Sequence, residues 1–165
     1  MKSIVVYPAC VMPVVCPDCG FGGNVKSENP PERDFKLNCP KCKETFLVKL
    51  NHRQFYRVKL NRPVTYSIDD IHDPFARNAK SGKIIDISRT GIRIEGKMRN
   101  YSKKYEKEGN ILTLLFDLPP NKTLLKVKGE IKRLIIIDDN NFSMGIAFIN
   151  LDVQTDLAIG TFLMP

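Results

Sequence analysis

Two sets of side chains in this sequence have the types and spacing to do chemistry. Four cysteines stand as Cys16-Pro17-Asp18-Cys19 and Cys39-Pro40-Lys41-Cys42, with nineteen residues between the pairs. Each Cys-x-x-Cys delivers two sulfurs from one tight turn, and two such turns complete the tetrahedral shell that zinc prefers. A redox dithiol is the competing chemistry, but it needs a helix after the motif and accounts for only one pair. Gly20 follows the first knuckle, as ribbons often show. The expectation is a structural Zn2+ held by Cys16, Cys19, Cys39 and Cys42. The second set begins with Arg53 and Arg57, four residues apart in Arg53-Gln54-Phe55-Tyr56-Arg57, just before a strand-like run. A guanidinium is a planar fork that grips a phosphate or a guanine edge through two bonds and stacks on a flat ring. About thirty residues on, Asp86-Ile87-Ser88-Arg89-Thr90-Gly91 offers a carboxylate, a hydroxyl, and a glycine where a side chain would block backbone approach. The arginine spacing recurs at Arg89 and Arg93, so spacing alone decides nothing; order and context do.

The elements that must position these groups fall into two segments. Residues 1–50 read as a small zinc-ribbon-like module in which two knuckles are joined by the polar, turn-rich stretch Ser27–Asp34. Its second knuckle leads into the strand-like Thr45-Phe46-Leu47-Val48. Met12 makes a natural start, which leaves residues 1–11 as an extension of no structural consequence. Phe21, Phe35 and Phe46 are expected to form the core of a module that buries too little to fold without metal. Cys10 is left over as a buried or free thiol. From Val58 the apolar period is two: Val58, Leu60, Val64 and Tyr66 form a strand with a register break near Pro63. Further strands are expected over Lys83–Ile87, Ile92–Glu95 and Ile111–Leu118. A half-exposed strand then runs from Leu125 to Ile131, and Leu134–Ile137 break its alternation by a bulge or by burial on both faces. Asp138–Asn141 is a hairpin turn, and Phe142, Met144, Ile146 and Phe148 line one face of the return strand. Asp152 is placed to cap a helix through Leu163 that uses Leu157 and Phe162 among its apolar positions. The polar stretch Ser67–Ser81 reads as a loop. Lys97–Asn110, densely charged, reads as a loop or a solvated helix. The fold class is mainly β: a small antiparallel barrel of six or seven strands over residues 51–165, with a C-terminal helix and the ribbon before it.

Composition is that of a soluble globular protein, with 42% hydrophobic and 27% charged residues. The net charge of +8 points to an anionic partner. Residues 1–50 carry seven Lys/Arg against five Asp/Glu, and a four-thiolate zinc site would bring that segment to about neutral. The positive field therefore belongs to residues 51–165. An odd count of five cysteines, all in the first quarter, does not resemble a secreted disulfide scaffold. The apolar run Ile4–Val15 is short, broken by Pro8 and Pro13, and lacks a small-residue cleavage site, so neither signal peptide nor membrane span is expected and the location is read as cytoplasmic. No nucleophile–base set, phosphate-cradling glycine loop or carboxylate cluster is visible. The chain reads as a receptor, with no enzymatic activity.

The order Arg-x-x-x-Arg, strand, Asp-x-Ser-x-x-Gly between two strands, then Val127-x-Gly129-x-Ile131-x-Arg133, Gly145-Ile146-x-Phe148 and a terminal helix resembles the PilZ domain, a bacterial receptor family for cyclic di-GMP. The resemblance covers about residues 51–165. It implies that Arg53 and Arg57 clamp phosphate and guanine, that Asp86 and Ser88 hydrogen-bond the nucleotide, and that Gly91 keeps the turn open. It also implies cyclic di-GMP as regulatory ligand, with a conformational or partner-binding output. The ribbon is expected to contact a protein or to brace the barrel. The rival reading is a ribbon that binds nucleic acid or protein beside a degenerate barrel. Phe55 is expected in the core, Tyr56 facing solvent, and His72 solvated.

Overall fold

In the computed structural model, which describes residues 1–53 and 55–164, nearly every apolar-alternating stretch is a strand. The chain divides into two units, Met1–Gln54 and Phe55–Pro165. In the first, β2 (Val11–Val15) and β3 (Gly22–Lys26) form a hairpin around the first knuckle. Strands β4 (Phe35–Asn38) and β5 (Thr45–Leu50) form another around the second. The two knuckles repeat one design. Cys16 N–H donates to Phe21 O and Cys16 O accepts from Gly20 N–H; Cys39 N–H donates to Glu44 O and Cys39 O accepts from Lys43 N–H. The fourth residue after each leading cysteine is left-handed, Gly20 at φ +72° and Lys43 at φ +66°. Glycine takes that conformation freely and lysine does not.

Residues 1–11 are not a passive extension. Ser3–Val6 form β1, parallel to β5 with Ser3 opposite Leu47 and Val6 opposite Leu50. Leu47 N–H donates to Lys2 O, Asn51 N–H donates to Val6 O, and Ile4 and Val6 pack on the cluster of Phe46 and Val48. A four-residue apolar run that would be too short to matter alone is captured by an open strand edge. Of the three phenylalanines expected inside, Phe46 is buried, Phe35 half-buried, and Phe21 exposed. Phe21 lies in the knuckle between β2 and β3 and Cys10 just before β2, and both are exposed.

The second unit is a closed antiparallel barrel of six strands, in the order β10-β11-β8-β7-β6-β9. These are β6 (Val58–Ser67), β7 (Lys80–Ile87), β8 (Gly91–Lys97), β9 (Ile111–Phe116), β10 (Leu125–Ile136) and β11 (Asn141–Ile149). The core lies inside it, with Tyr66, Ile84, Ile87, Ile94, Leu114, Ile131, Phe142 and Met144 among the buried residues. Ile84 and Ile87 are three apart, so a regular strand would send them to opposite faces. A register shift between Ile84 and Asp86 turns both inward. Ile131 and Leu134 pose the same conflict, and a shift between Ile131 and Arg133 resolves it; the break in alternation there is a bulge, with Ile135 and Ile136 exposed.

In this unit two expectations, at Phe55 and Leu157, are corrected and others are refined. Phe55 is exposed, since β6 begins only at Val58, while Tyr56 is exposed as expected and donates its hydroxyl to Leu163 O. The stretch after Lys97 is neither wholly solvated nor a regular helix. A short 3-10 turn (Met98–Asn100) opens it, Met98 and Tyr101 pack against the core, and buried Glu106 accepts from Ser102 N–H and pairs with Lys80. Helix α1 (Val153–Leu163) starts at Asp152, which accepts from Thr155 N–H at 2.8 Å. It packs through the four-residue stripe Thr155, Ile159 and Leu163 with Gly160 beside it, so Leu157, two positions off the stripe, is exposed.

Candidate functional site

The four cysteine sulfurs of the first unit lie within 4.8 Å of one another, with Cys16 and Cys39 buried and Cys19 and Cys42 half-buried. Cys16 Sγ is 3.7 Å from Cys42 Sγ, and Cys19 Sγ is 3.6 Å from Cys39 Sγ. A disulfide needs about 2 Å. A tetrahedron with metal–sulfur bonds of about 2.3 Å has edges of roughly 3.8 Å, close to what is seen. Two of the thiols are pulled in opposite directions. Backbone N–H groups, that of Cys42 foremost, hold the Cys39 thiol down at about 6 against the effect of burial. At Cys42 the Glu44 N–H acts in the same direction, but burial and three neighbouring sulfurs outweigh it and push the thiol up to about 12. Four thiolates cannot share this space without a positive charge among them. The set fits a metal ion in donor chemistry and in spacing.

In the barrel, Asp86 is the centre. The β7–β8 hairpin closes through a tight turn: Ser88 N–H donates to Gly91 O at 2.8 Å, and the Ser88 hydroxyl lies 3.3 Å from the same oxygen. That turn sets Ile87 opposite Ile92 and Asp86 opposite Arg93. Gly91 is required by the fold, since a Cβ there would come within 2.5 Å of Ile146 O. The carboxylate of Asp86 is held between two guanidinium groups. Arg57 Nη1 is 3.4 Å from Oδ1, and Arg93 Nε is 2.9 Å from Oδ2 although its N–H is not aimed at that oxygen. Two cations over one carboxylate leave an uncompensated positive charge, with Arg57 and Arg93 both well exposed.

Sequence reasoning did not assign four residues to this face: Lys59, Arg93, Arg133 and Gly145. Arg93 lies opposite Asp86 and Gly145, and Gly145 lies opposite Arg133; Lys59 lies opposite Asp86 on the other side. A row Lys59, Asp86, Arg93, Gly145, Arg133 thus crosses the outer face of five strands, and opposed residues share a face. Gly145 is not demanded by packing, because its Cβ would meet nothing nearer than Arg133 Cβ at 3.7 Å. Its absent side chain keeps the floor between two guanidinium groups clear. The signal for Arg93 was present: counting back from a turn closed at Ser88 and Gly91 sets it across from Asp86. Arg89, four residues earlier, goes elsewhere. It pairs with Asp156 of α1 at 2.8 Å, and its guanidinium fills the space over Gly160. Arg53 belongs to the first unit, where it is exposed and its backbone N–H donates to Asn51 Oδ1; Gln54 lies outside the described residues. His72 is exposed beside Lys126 and Asp70.

The second unit is thus a small antiparallel β-barrel domain with a basic outer face around one strand-end carboxylate. The PilZ domain profile matches residues 51–164, and the chain belongs to the PilZ domain family. No curated protein matches it. Among solved structures, MrkH from K. pneumonia, described as a c-di-GMP-dependent transcription regulatory factor, is 15% identical with a TM-score of 0.55, over 70% of this chain and 51% of its own. The PilZ domain of YcgR from Escherichia coli with c-di-GMP is 10% identical, TM-score 0.51, over 67% and 87%. The Bacillus subtilis inhibitor of motility (MotI/DgrA) is 13% identical, TM-score 0.52, over 92% and 62%. The match spans about half the length of MrkH. At these identities the likeness speaks to fold alone. Among the described residues no helix is long and apolar enough to cross a membrane.

Proposed function

We propose that this chain is a receptor for cyclic di-GMP, a ligand with two phosphates and two guanines. The observation that carries the reading is the Asp86 carboxylate held between Arg57 and Arg93 at a strand end, in a chain of the PilZ family. Arg57 grips phosphate through its planar fork, and Arg53, the other arginine of the motif, acts with it. Asp86 accepts from a guanine edge while Arg93 keeps its orientation, and the Ser88 hydroxyl adds a further bond. Gly91 holds the turn, and the open strip at Gly145 admits a flat ring beside Arg93. No step of covalent chemistry is required, so the protein acts as a receptor and has no enzymatic role.

The metal of the ribbon is zinc, held by Cys16, Cys19, Cys39 and Cys42, and its role is structural, because four protein ligands leave no open position. Reduced thiolates of this kind belong in a reducing compartment, which supports a cytoplasmic location. With metal bound the ribbon is near neutral, which favours a protein partner over nucleic acid as the recipient of the signal. Titration calorimetry of the metal-loaded chain with cyclic di-GMP tests the reading. Saturable heat is expected, and its absence together with salt-dependent binding of DNA or RNA would establish the rival reading, a nucleic-acid-binding ribbon on a degenerate barrel.

A further inference from the structure

The hairpin of β10 and β11 outgrows the barrel. Pairing of β10 with β9 ends at Glu130 opposite Ile111, and the Asn110 and Gly109 backbone then serves Ile131. Beyond that point β10 continues to Ile136 with β11 on one side only. Among the described residues its outer edge is met by one side-chain hydrogen bond, from Leu134 N–H to Glu108 Oε1 at 3.3 Å. Edges of this kind are usually blunted by charge or proline. This one carries Ile135, Ile136 and Ile137, each 42–50% exposed, between Lys132-Arg133 and Asp138-Asp139.

We propose that this edge is a dimerisation site whose occupant is the same edge of a second copy of this chain. The octet Lys132-Arg133-Leu134-Ile135-Ile136-Ile137-Asp138-Asp139 is basic at one end, apolar in the middle and acidic at the other. Antiparallel pairing brings the bases of each copy to the acids of the other and stacks isoleucine on isoleucine; parallel pairing would oppose like charges. The backbone fixes the register. Ile137 N–H turns inward to Asn141 O, so Leu134 and Ile136 direct their N–H and C=O outward, as the Glu108 contact at Leu134 shows. Residues opposed in an antiparallel ladder must both point toward the partner or both away. Leu134 therefore pairs with Ile136 of the second copy, and Ile135 sits on the two-fold axis opposite itself. Lys132 then faces Asp138 of the second copy. Registers one step to either side would use the turn at Asp138 or the bulge after Ile131. The symmetry is closed, so pairing stops at two copies.

Ile135 facing itself is a pair without mutual backbone hydrogen bonds, whose Cα atoms approach to about 4.5 Å. That separation accepts a disulfide. The test uses the full metal-loaded chain in a Cys10→Ser background, since Cys10 is exposed. In sedimentation, the mass should climb with concentration toward twice the monomer. Under mild oxidation Ile135→Cys should cross-link at least tenfold faster than Ile136→Cys, which faces Leu134 of the second copy. Lys132→Asp, on an exposed side chain, should shift the monomer–dimer midpoint upward at least tenfold, and Ile135→Lys should abolish the dimer. A chain that stays monomeric at every concentration, or cross-links that form equally at both positions, overturns the proposal.

Discussion

Ribbon and barrel both have to close a small β structure, and they do so with different means. The barrel closes on itself through the pairing of β9 with β10 and encloses a continuous apolar core from Val64 through Leu163. Among the described residues the ribbon buries few apolar side chains, Met12, Phe46 and Val48, beside two buried cysteine sulfurs. Apolar burial at about 25 cal/mol per Å² can hold the first together and cannot hold the second. One unit thus folds on its own core and can carry a charged site on its surface, whereas the chemistry of the other goes into folding. The same contrast governs the cysteines and the arginines. Four sulfurs converge on one point, two buried and two half-buried, while Arg57, Arg93 and Arg133 spread over an outer face that solvent reaches.

The largest effect that separates the two units is loss of metal. Chelation, or Cys39→Ser, is expected to collapse the amide resonances of the ribbon while leaving the dispersed barrel resonances in place. Binding free energy at a site of this type is folding free energy. Simultaneous collapse of both sets would mean that the barrel does not stand on its own core.

Next in size is the ligand contact. Removing a charge-assisted contact costs about 1.5–3 kcal/mol, or roughly ten- to over a hundred-fold in affinity. Arg57→Ala is expected to lose that much affinity for cyclic di-GMP in calorimetry with almost no change in thermal midpoint, since Arg93 still neutralises Asp86. Arg57→Lys should not restore binding, because an ammonium lacks the planar fork. Unchanged affinity in both variants would move the site elsewhere.

Two glycines sharpen the distinction between what the barrel needs and what its surface offers. Gly91→Ala forces a Cβ to within 2.5 Å of Ile146 O and should lower the thermal midpoint by several degrees. Gly145→Val meets no backbone, so it should leave the midpoint nearly unchanged and still weaken the nucleotide by about tenfold, by filling the strip between Arg93 and Arg133. Equal loss of stability in the two would remove Gly145 from the site.

What could be read from residues alone follows the same line. The period-two runs, the Asp138–Asn141 turn and the Asp152 cap were legible because each is a local pattern with one physical solution. The Cys-x-x-Cys pairs were legible because only spacing matters there. Phe55 and Leu157 were misjudged because apolar character does not say whether a surface exists to receive it. Strand β1 was missed since its only reason to form is the edge of β5, more than forty residues away. Arg93, Gly145 and Arg133 belong together through register, and register in this barrel shifts at three places, in β6, β7 and β10.

The smallest expected effect sets the acid limits of the two units apart. In the ribbon, protons compete with metal for four thiolates, so acid should release the ion and unfold that unit first. In the barrel, the Thr155 N–H, joined by the Thr155 hydroxyl, holds the Asp152 carboxyl below its ordinary 3.8. A carboxyl depressed in the folded state stabilises fully above its unfolded value, and that contribution is lost as pH falls through the folded one. The barrel transition should therefore hold steady down to about pH 4 and weaken slightly below it. Asp152→Asn retains the capping oxygen without a titrating proton. It should match the parent near neutrality and show a flatter slope below pH 4 in calorimetric scans. A variant with the parent's slope would assign that slope to another group, with Asp138, similarly depressed by the Asn140 N–H in its turn, the next to replace.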